Sequence, residues 1–422
     1  MFISYADIMQ EFKKPLHYKI DKAVEAIRLG FSVSRHKQAL AFSGGKDSTV
    51  LWHIIRSRFP REAEKMEIIY GNTGIEYPES LKFARQLGSE WAAPGRFHET
   101  RPEKTTEDGL KYVAQREVLE WLSENGRLSE VLKTDGKLKS TRTLERKATP
   151  EMWENFRQRG LVWRKGTPMS YWWCVDQYGY PILGKAASLL EARRINIDCF
   201  LMYSRSNSKR EELIEYYDVL SQCKFSQHCC KLLKKEPSEK LQAELDVDVI
   251  FKGLMASESQ TRKTNFSTRG YLFASHREYL GTDPFYHCNP LSIWTDADIW
   301  EYTEQYSVPQ SELYKMGYTD NKGIWHGIQR NGCWGCATSI LYNDNQLKML
   351  RHTHPRLWQA LMNHGMANEL KKLYQTRSKG IPTIIDVIDD PETLLERRPC
   401  AFDDIENLID GSGINDIYDS EV

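Results

Sequence analysis

The six residues SGGKDS at positions 43–48 constrain the fold of this chain more than any other feature of its sequence. An apolar segment at 38–42 precedes them, and a run with helical periodicity at 49–55 follows them. The two glycines of the run let backbone N–H groups approach an anion closely. Lys46 adds a positive charge, and the helix N-terminus adds a partial one. The pattern therefore predicts a strand, a glycine turn and a helix that together bind the phosphate groups of a nucleotide.

Apolar runs and helical patterns alternate along much of the rest of the chain. This alternation predicts an α/β fold with a doubly wound parallel sheet, in which ligands bind at the carboxyl ends of the strands. The expected strands are 38–42, 67–70, 197–203 and 247–251, and the expected helices between them are 78–88, 186–194 and 211–220.

The sequence also predicts a division into four parts. We expect N-terminal helices at 1–36, a nucleotide-binding domain at 37–94 and 181–340 that also holds the paired cysteines described below, a helical and basic insertion at 95–180, and a helical C-terminal extension with an acidic tail at 341–422. The aromatic run at 171–174 is expected to form the insertion's own small core.

Charge is distributed unevenly although the formal net charge is zero. Residues 131–170 hold 10 Lys and Arg against 4 Asp and Glu, whereas residues 386–422 hold 2 against 12. The basic stretch is either a solvated face or a surface for DNA or RNA. The sequence has no early apolar run of 18 residues and no signal-peptide pattern at its start, which predicts a cytoplasmic protein without a membrane span.

Four of the nine cysteines form two pairs: Cys229 with Cys230, and Cys333 with Cys336. Nine is an odd number, which argues against a secreted disulfide framework. Four thiolates could hold an iron–sulfur cluster or zinc, and Cys333 with Cys336 could alternatively form a redox pair. We favour a 4Fe–4S cluster, because adjacent cysteines are poorly placed for a zinc knuckle.

The glycine loop resembles the PP-loop of ATP pyrophosphatases. It is not a Walker A loop, because Leu40 stands where that motif requires a glycine. The order of the loop, Asn-Thr-Gly at 72–74, Cys-Cys at 229–230 and Cys-x-x-Cys at 333–336 resembles the phosphoadenosine phosphosulfate reductase family, and most closely its iron–sulfur branch. The segments Asn289–Leu291 and Trp294–Tyr302 continue the resemblance.

The resemblance implies a set of site residues. Lys46, Asp47 and Ser48 would be catalytic, and the four paired cysteines would hold the cluster. The nucleotide would contact Ser43, Gly44, Gly45, Lys46, Asp47, Ser48, Asn72, Thr73, Gly253, Ser259 and Arg262.

The chain also departs from the family pattern. Met255 and Ala256 stand where reductases of the family have arginine, and neither can grip a sulfate. No cysteine follows Cys400, whereas the family ends in a catalytic Glu-Cys-Gly-Leu tail. Cys400 and Cys174 are the remaining candidates for a functional thiol.

Three functions follow from these observations. The first is cleavage of ATP between the α- and β-phosphates, with Mg²⁺, to activate an acceptor for sulfur transfer, with a cysteine desulfurase as partner. The acceptor could be a nucleic acid that residues 131–170 bind. The second is reduction of adenylyl sulfate or its 3′-phosphorylated form with a thiol reductant. The third is a cluster-bearing nucleotide sensor or scaffold.

Overall fold

We analysed a computed structural model of the chain. It describes residues 4–103, 114–134, 139, 147, 149–158, 169–181, 228–336 and 346–370. The expected strand at 197–203 and the expected helices at 186–194 and 211–220 lie outside these residues, as do Cys400 and the acidic tail.

The strands form one six-stranded sheet and one small hairpin. The large sheet has the order β3-β2-β1-β4-β6-β5, and all its neighbours pair in parallel except β5 with β6. The strands are β1 Lys37–Phe42, β2 Glu67–Gly71, β3 Phe97–Thr100, β4 Val247–Lys252, β5 Leu272–His276 and β6 Pro284–Cys288, with β7 Gly317–Thr319 and β8 Trp325–Gly327 in the hairpin.

Thirteen helices are used in the description below. They are α1 Tyr5–Glu11, α2 Leu16–Val33, α3 Lys46–Arg58, α4 Pro60–Ala63, α5 Pro78–Trp91, α6 Ala114–Glu124, α7 Pro150–Gln158, α8 Tyr171–Tyr178, α9 Glu236–Glu244, α10 Gln260–Arg269, α11 Asp296–Gln305, α12 Gln346–Thr353 and α13 Pro355–Leu361. A π-helical segment, Cys230–Lys235, leads into α9. Short 3₁₀ or π segments lie at Leu128–Glu130, Ala256–Glu258, Glu278–Leu280, Glu312–Lys315 and Met362–Met366.

Helices cover both faces of the sheet, so the prediction of a doubly wound α/β fold is confirmed. Residues of α2 and α3 pack with β1, β4 and β6 in the main core, which includes Val50, Leu51 and Phe251. A smaller apolar cluster on the opposite face joins β4 and β6 to α9. The expected strands at 38–42, 67–70 and 247–251 are present. The antiparallel β5 at one edge was not expected.

A third core lies around α8, and it corrects one expectation. Tyr171 and Trp172 pack against Trp334 of the cysteine loop and against residues of α12 and α13. The buried residues of the insertion's other described helices are not part of this cluster. The aromatic run therefore serves the cysteine region and the C-terminal helices, because its large apolar rings are buried against them.

Three features of the fold position the site. The Ser43–Gly45 turn follows β1 directly, at the carboxyl edge of the sheet. A capping box at Thr295 and Asp298 begins α11, and Asp298 also pairs with the buried Lys19 at 2.6 Å. This pair fixes α11 against α2, and so fixes the position of Asp296.

The boundaries of the four predicted parts of the chain stay predictions. Among the described residues, the structure has no helix with the length and apolar character that a membrane crossing requires.

Candidate functional site

The glycine loop adopts a tight, internally bonded turn between β1 and α3. Gly44 has φ +68°, a left-handed conformation that favours glycine. The hydroxyls of Ser43 and Ser48 lie 3.1 Å apart, and the backbone N–H of Gly45 donates to Ser43 Oγ at 3.3 Å. Lys46 is the first residue of α3, so the N–H groups that have no acceptor within the helix begin at the loop.

Lys46 lies between two carboxylates. Its Nζ is 2.7 Å from Asp47 and 2.6 Å from Asp296, and the Lys46 side chain is only 4% exposed. Burial raises the pKa of Asp47, and the Lys46 charge opposes that rise. Asp296 is 56% exposed and faces solvent beside the loop. One fixed cation and two carboxylates thus stand where the phosphate chain of a nucleotide would reach the loop.

Two residues from a distant segment hold the loop in place. The hydroxyl of Tyr314 accepts the backbone N–H of Lys46 at 3.0 Å, and Asn331 Nδ2 donates to the carbonyl of Ser43 at 3.0 Å. Burial raises the pKa of Tyr314 above its ordinary range, so its hydroxyl keeps its proton. These contacts tie the chain on both sides of the β7–β8 hairpin to the glycine loop.

Gly253 lies against the start of α3. A Cβ at this position would come within 2.9 Å of the backbone of Asp47 and Ser48. Real Cβ atoms do not approach backbone that closely, so glycine is required if β4 and the loop are to meet as they do. The predicted contact of Gly253 with a nucleotide stays a prediction.

Ser259 and Arg262 meet near Glu258. The Ser259 side chain accepts the backbone N–H of Arg262 and caps α10. The side chain of Glu258 is 7% exposed, pairs with Arg262, and lies 3.0 Å from Arg330. Arg330 also lowers the pKa of Asp47, which places its charge near the loop. The two guanidinium groups therefore share one buried carboxylate at the side of the site.

Asn72 and Thr73 follow β2 and bond to carboxylates of the protein. Asn72 Nδ2 donates to Glu99 at 2.7 Å, and Thr73 Oγ1 donates to Glu76 at 2.8 Å. Thr73 Oγ1 also lies 3.5 Å from Cys333 Sγ. The β2 end and the cysteine loop are therefore neighbours, and the predicted contact of Asn72 and Thr73 with a nucleotide stays a prediction.

The four paired cysteines come from two segments that meet at Tyr171. Burial raises its pKa, and the nearby thiols Cys229 and Cys336 raise it further. Cys229 is buried, Cys230 is exposed, and Cys333 and Cys336 are half-buried. In the part of the chain that the structure describes, no three His, Cys, Asp or Glu side chains are gathered closely enough to hold a metal ion.

A lysine lies among the same thiols. Desolvation alone would lower the pKa of Lys234, but Cys333 and Glu76, with Cys230 and Cys336, raise it above its ordinary value. A cation beside three of the four thiols offsets the negative charge that thiolate ligands would carry. The donor set of Cys229, Cys230, Cys333 and Cys336 therefore fits an iron–sulfur cluster in its chemistry, while the thiols themselves are not gathered as ligands.

Sequence reasoning missed several residues of the site. Asp296 lies in the segment Trp294–Tyr302, which carries the family resemblance, but the spacing of Asp296 and Tyr314 from the loop does not indicate that they contact Lys46. Arg330 and Asn331 lie just before the Cys-x-x-Cys motif, and the sequence pattern there indicates only a role for the cysteines. The one signal in the sequence that could have pointed to Arg330 and Asn331 is their position next to the Cys-x-x-Cys motif.

Comparison with known proteins agrees with the sequence resemblance. The family model described as "Phosphoadenosine phosphosulfate reductase domain" matches residues 37–150 and 188–338. The phosphoadenosine 5′-phosphosulfate reductase of Xylella fastidiosa is 34% identical over 88 residues, which are 21% of this chain and 32% of that protein. The corresponding protein of Xanthomonas axonopodis pv. citri is 31% identical over 101 residues, 24% of this chain and 36% of that protein.

The matches span about a third of the length of these curated relatives. A solved structure, the phosphoadenylyl-sulfate reductase of Candida auris in a phosphate complex, aligns with 79% of this chain and 99% of its own chain. Its TM-score is 0.33 and its sequence identity is 14%.

Proposed function

Because the chain belongs to the phosphoadenosine phosphosulfate reductase family, we propose that it is an enzyme that binds an adenine nucleotide at the Ser43–Ser48 loop. We further propose that its substrate is ATP, which it cleaves between the α- and β-phosphates. An acceptor oxygen attacks the α-phosphorus, the bond from that phosphorus to the bridging oxygen breaks, and pyrophosphate leaves with the electron pair. The adenylylated acceptor is then open to attack by sulfur.

The observation that carries this proposal is the placement of Asp47 and Asp296 on either side of Lys46. Mg²⁺ is commonly held by one or two carboxylates together with substrate phosphates, so two carboxylates beside a phosphate-binding loop suit a nucleotide with a polyphosphate chain. Asp47 and Asp296 would hold the ion, which neutralises phosphate charge when bound. The phosphosulfate group of adenylyl sulfate is shorter and carries less charge than the triphosphate of ATP, so it offers such an ion fewer phosphate ligands.

The chain's own groups have distinct parts in this reaction. The backbone N–H groups of Gly44 and Gly45 act as fixed dipoles toward the α- and β-phosphates. The Lys46 ammonium stabilises the charge that develops on the leaving pyrophosphate. Gly253 and Tyr314 hold the loop in its present shape through their contacts with Asp47, Ser48 and Lys46.

The test is pyrophosphate release from Mg-ATP by wild type and by Lys46→Ala. We expect the variant to lose at least 100-fold in rate, the usual effect of removing one stabilising group. Lys65→Ala, an exposed lysine in the connection before β2, is the matched control and should keep the wild-type rate. Equal rates for wild type and Lys46→Ala would overturn the assignment of the loop.

A second function, sulfonucleotide reduction, is favoured by the names of the relatives, which are reductases. Against it, Met255 and Ala256 are 0% and 2% exposed and cannot grip a sulfate. Sulfite release from adenylyl sulfate with a thiol reductant, and none of pyrophosphate from ATP, would establish this function instead.

We also propose that Cys229, Cys230, Cys333 and Cys336 hold a 4Fe–4S cluster, whose role is to close the cysteine segments over the site. Anaerobically purified wild type should contain about four iron atoms and four labile sulfides per chain. Cys336→Ser should lose both, while Cys288→Ser, a buried cysteine under α2, should not. Zinc in place of iron would overturn this proposal.

A role for residues 131–170 in binding DNA or RNA stays a prediction.

A further inference from the structure

Arg330 lies at the rim of the glycine loop. The next residue, Asn331, donates from Nδ2 to the carbonyl of Ser43 at 3.0 Å, and a Cβ added at Gly45 would lie 3.5 Å from the Cβ of Asn331. The chain at 330–331 therefore runs directly alongside the loop. The Arg330 side chain is 27% exposed, so it is partly open to solvent at this position. It thus borders the space that a ligand of the loop would enter.

A buried carboxylate anchors the Arg330 guanidinium. Nη1 of Arg330 lies 3.0 Å from Glu258 Oε1, and the Glu258 side chain is only 7% exposed. Oε2 of Glu258 also accepts the backbone N–H of Met255 at 3.1 Å, which ties the carboxylate to the chain that follows Gly253. A hydrogen bond between two charged groups is short and directional, so this contact holds one end of the guanidinium in a defined position.

The arginines on this side of the site outnumber the carboxylate that they share. Arg262 pairs with Glu258 as well, so two guanidinium groups meet one carboxylate, and the trio carries one net positive charge. The charge of Arg330 also acts at the start of α3. Burial raises the pKa of Asp47, and the charges of Lys46 and Arg330 oppose that rise. This side of the glycine loop therefore attracts an anion.

The chemistry of a guanidinium group suits the outer phosphates of a nucleotide. Its planar fork carries five N–H donors and matches the oxygens of a phosphate group in pairs. The contact of Arg330 with Glu258 is made through Nη1. The backbone N–H groups of the glycine loop surround one small turn, so they bind the phosphate nearest to them. A longer phosphate chain continues past the turn to its rim, where Arg330 lies.

We propose that Arg330 binds the pyrophosphate portion of ATP, that is, its β- and γ-phosphates, and so determines the preference of the site for a polyphosphate chain over a single phosphate. The inference rests on the proposed nucleotide site at the Ser43–Ser48 loop and deepens it. It does not depend on the cluster or on which acceptor takes the adenylyl group. No sequence motif assigns this role to Arg330, which lies three residues before Cys333.

The test is calorimetric titration with AMP and with α,β-methylene-ATP, in the presence of Mg²⁺. A carbon replaces the bridging oxygen in this analogue, so the bond is not cleaved during the titration. Wild type should bind the analogue about tenfold or more tightly than AMP, because charge-assisted hydrogen bonds hold the added phosphates. Arg330→Met should lose about tenfold or more in affinity for the analogue, the usual effect of removing a hydrogen bond to a charged group, and should keep the wild-type affinity for AMP.

Control variants separate binding from folding. Arg269→Met removes an exposed arginine of α10 that packs on Phe273, and it should keep the wild-type affinities for both nucleotides. Arg330→Lys keeps the positive charge but loses the planar fork, so its affinity for the analogue should lie between those of wild type and Arg330→Met. Glu258 keeps Arg262 as a partner in both variants of Arg330, so their Tm without nucleotide should stay close to that of wild type.

Failure of the proposed function gives a different result from failure of this inference. Lys46→Ala should weaken the binding of both nucleotides, because it changes the loop itself. If wild type prefers the analogue through Arg330 but releases no pyrophosphate from Mg-ATP, the inference holds and the proposed reaction is overturned.

Three results would overturn the inference. In the first, wild type binds the analogue no more tightly than AMP. In the second, Arg330→Met keeps the wild-type preference for the analogue. In the third, Arg330→Met loses affinity for AMP and for the analogue by the same factor, which is what a purely structural role of Arg330 predicts. If Arg330→Met does not fold, Arg330→Lys decides by the same comparison of the two nucleotides.

Discussion

The Lys46 ammonium lies 2.6 Å from the carboxylate of Asp296, although 250 positions separate the two residues in the sequence. Asp47 holds the other side of the same ammonium at 2.7 Å. The start of α11 therefore belongs to the same site as the start of α3. Under the proposed function, this pairing places two carboxylates where a divalent cation carried by a nucleotide would lie.

Removing the Asp296 carboxylate should change the Mg²⁺ dependence of the enzyme. Asp296→Asn leaves only Asp47 to hold the ion with the phosphates, so we expect the Mg²⁺ concentration for half-maximal activity to rise about tenfold, a loss of ~1.4 kcal/mol. The measurement is a Mg²⁺ titration at saturating ATP. Glu301→Gln, an exposed carboxylate on the same helix, is the control. An unchanged midpoint in Asp296→Asn would exclude Asp296 as a ligand.

Gly253 should not tolerate a side chain. In Gly253→Ala the new Cβ would meet the backbone of Asp47 and Ser48 at 2.9 Å, so the loop must shift. We expect nucleotide affinity to fall at least tenfold, and the free energy of unfolding to fall by about 1–3 kcal/mol, as for overpacking elsewhere. Gly332→Ala is the matched control, since a Cβ there meets nothing within 4 Å. Equal affinities in the two variants would show that the close approach does not matter for binding.

Local sequence patterns predicted the fold, but they predicted only part of the candidate site. The strand-turn-helix at 38–55 could be predicted, because alternating apolar residues and a glycine turn are local signals. The contacts of Asp296 and Tyr314 with Lys46 could not, because they depend on how α11 and the segment before β7 pack against α3. The role of the aromatic run at 171–174 was misassigned for the same reason: its apolar character was clear, but its partner Trp334 is far away in the sequence.

The hydroxyl of Tyr314 should stabilise the glycine loop through its hydrogen bond with the Lys46 N–H. Tyr314→Phe keeps the ring packed against Trp300 but removes the oxygen that accepts the Lys46 N–H. That N–H is then left without its partner, so the free energy of unfolding should fall by about 1–2 kcal/mol in the nucleotide-free protein. Because a bound phosphate can accept the hydrogen bond from this N–H, saturating nucleotide should reduce the difference in the free energy of unfolding between Tyr314→Phe and wild type. Denaturant unfolding with and without nucleotide measures both effects. If nucleotide leaves the difference in the free energy of unfolding unchanged, no phosphate binds at this N–H.

His287 should make the protein sensitive to acid. Burial lowers the pKa of His287 to about 3, and the charges of Lys252, Arg277 and Arg269 contribute. The unfolded chain binds this proton near pH 6.5, so the neutral folded form loses stability as pH falls from 6.5 toward 3, and nothing changes above 6.5. By pH 5 the loss from this group is about 2 kcal/mol.

The control for this pH effect is His287→Gln, which cannot be protonated. Denaturant unfolding at pH 7 and at pH 5 should show a decline in the free energy of unfolding that is about 2 kcal/mol smaller in the variant than in wild type. Parallel declines in the two proteins would mean that His287 takes up its proton without cost in the folded state.

The most direct test of the account is the identity of the products. Anaerobically purified protein is incubated with Mg-ATP in one sample and with adenylyl sulfate plus a thiol reductant in another, and AMP, pyrophosphate and sulfite are measured in both. The account predicts AMP or an adenylylated acceptor together with pyrophosphate from ATP, and no sulfite from adenylyl sulfate. Sulfite from adenylyl sulfate, without pyrophosphate from ATP, would contradict it and identify a sulfonucleotide reductase.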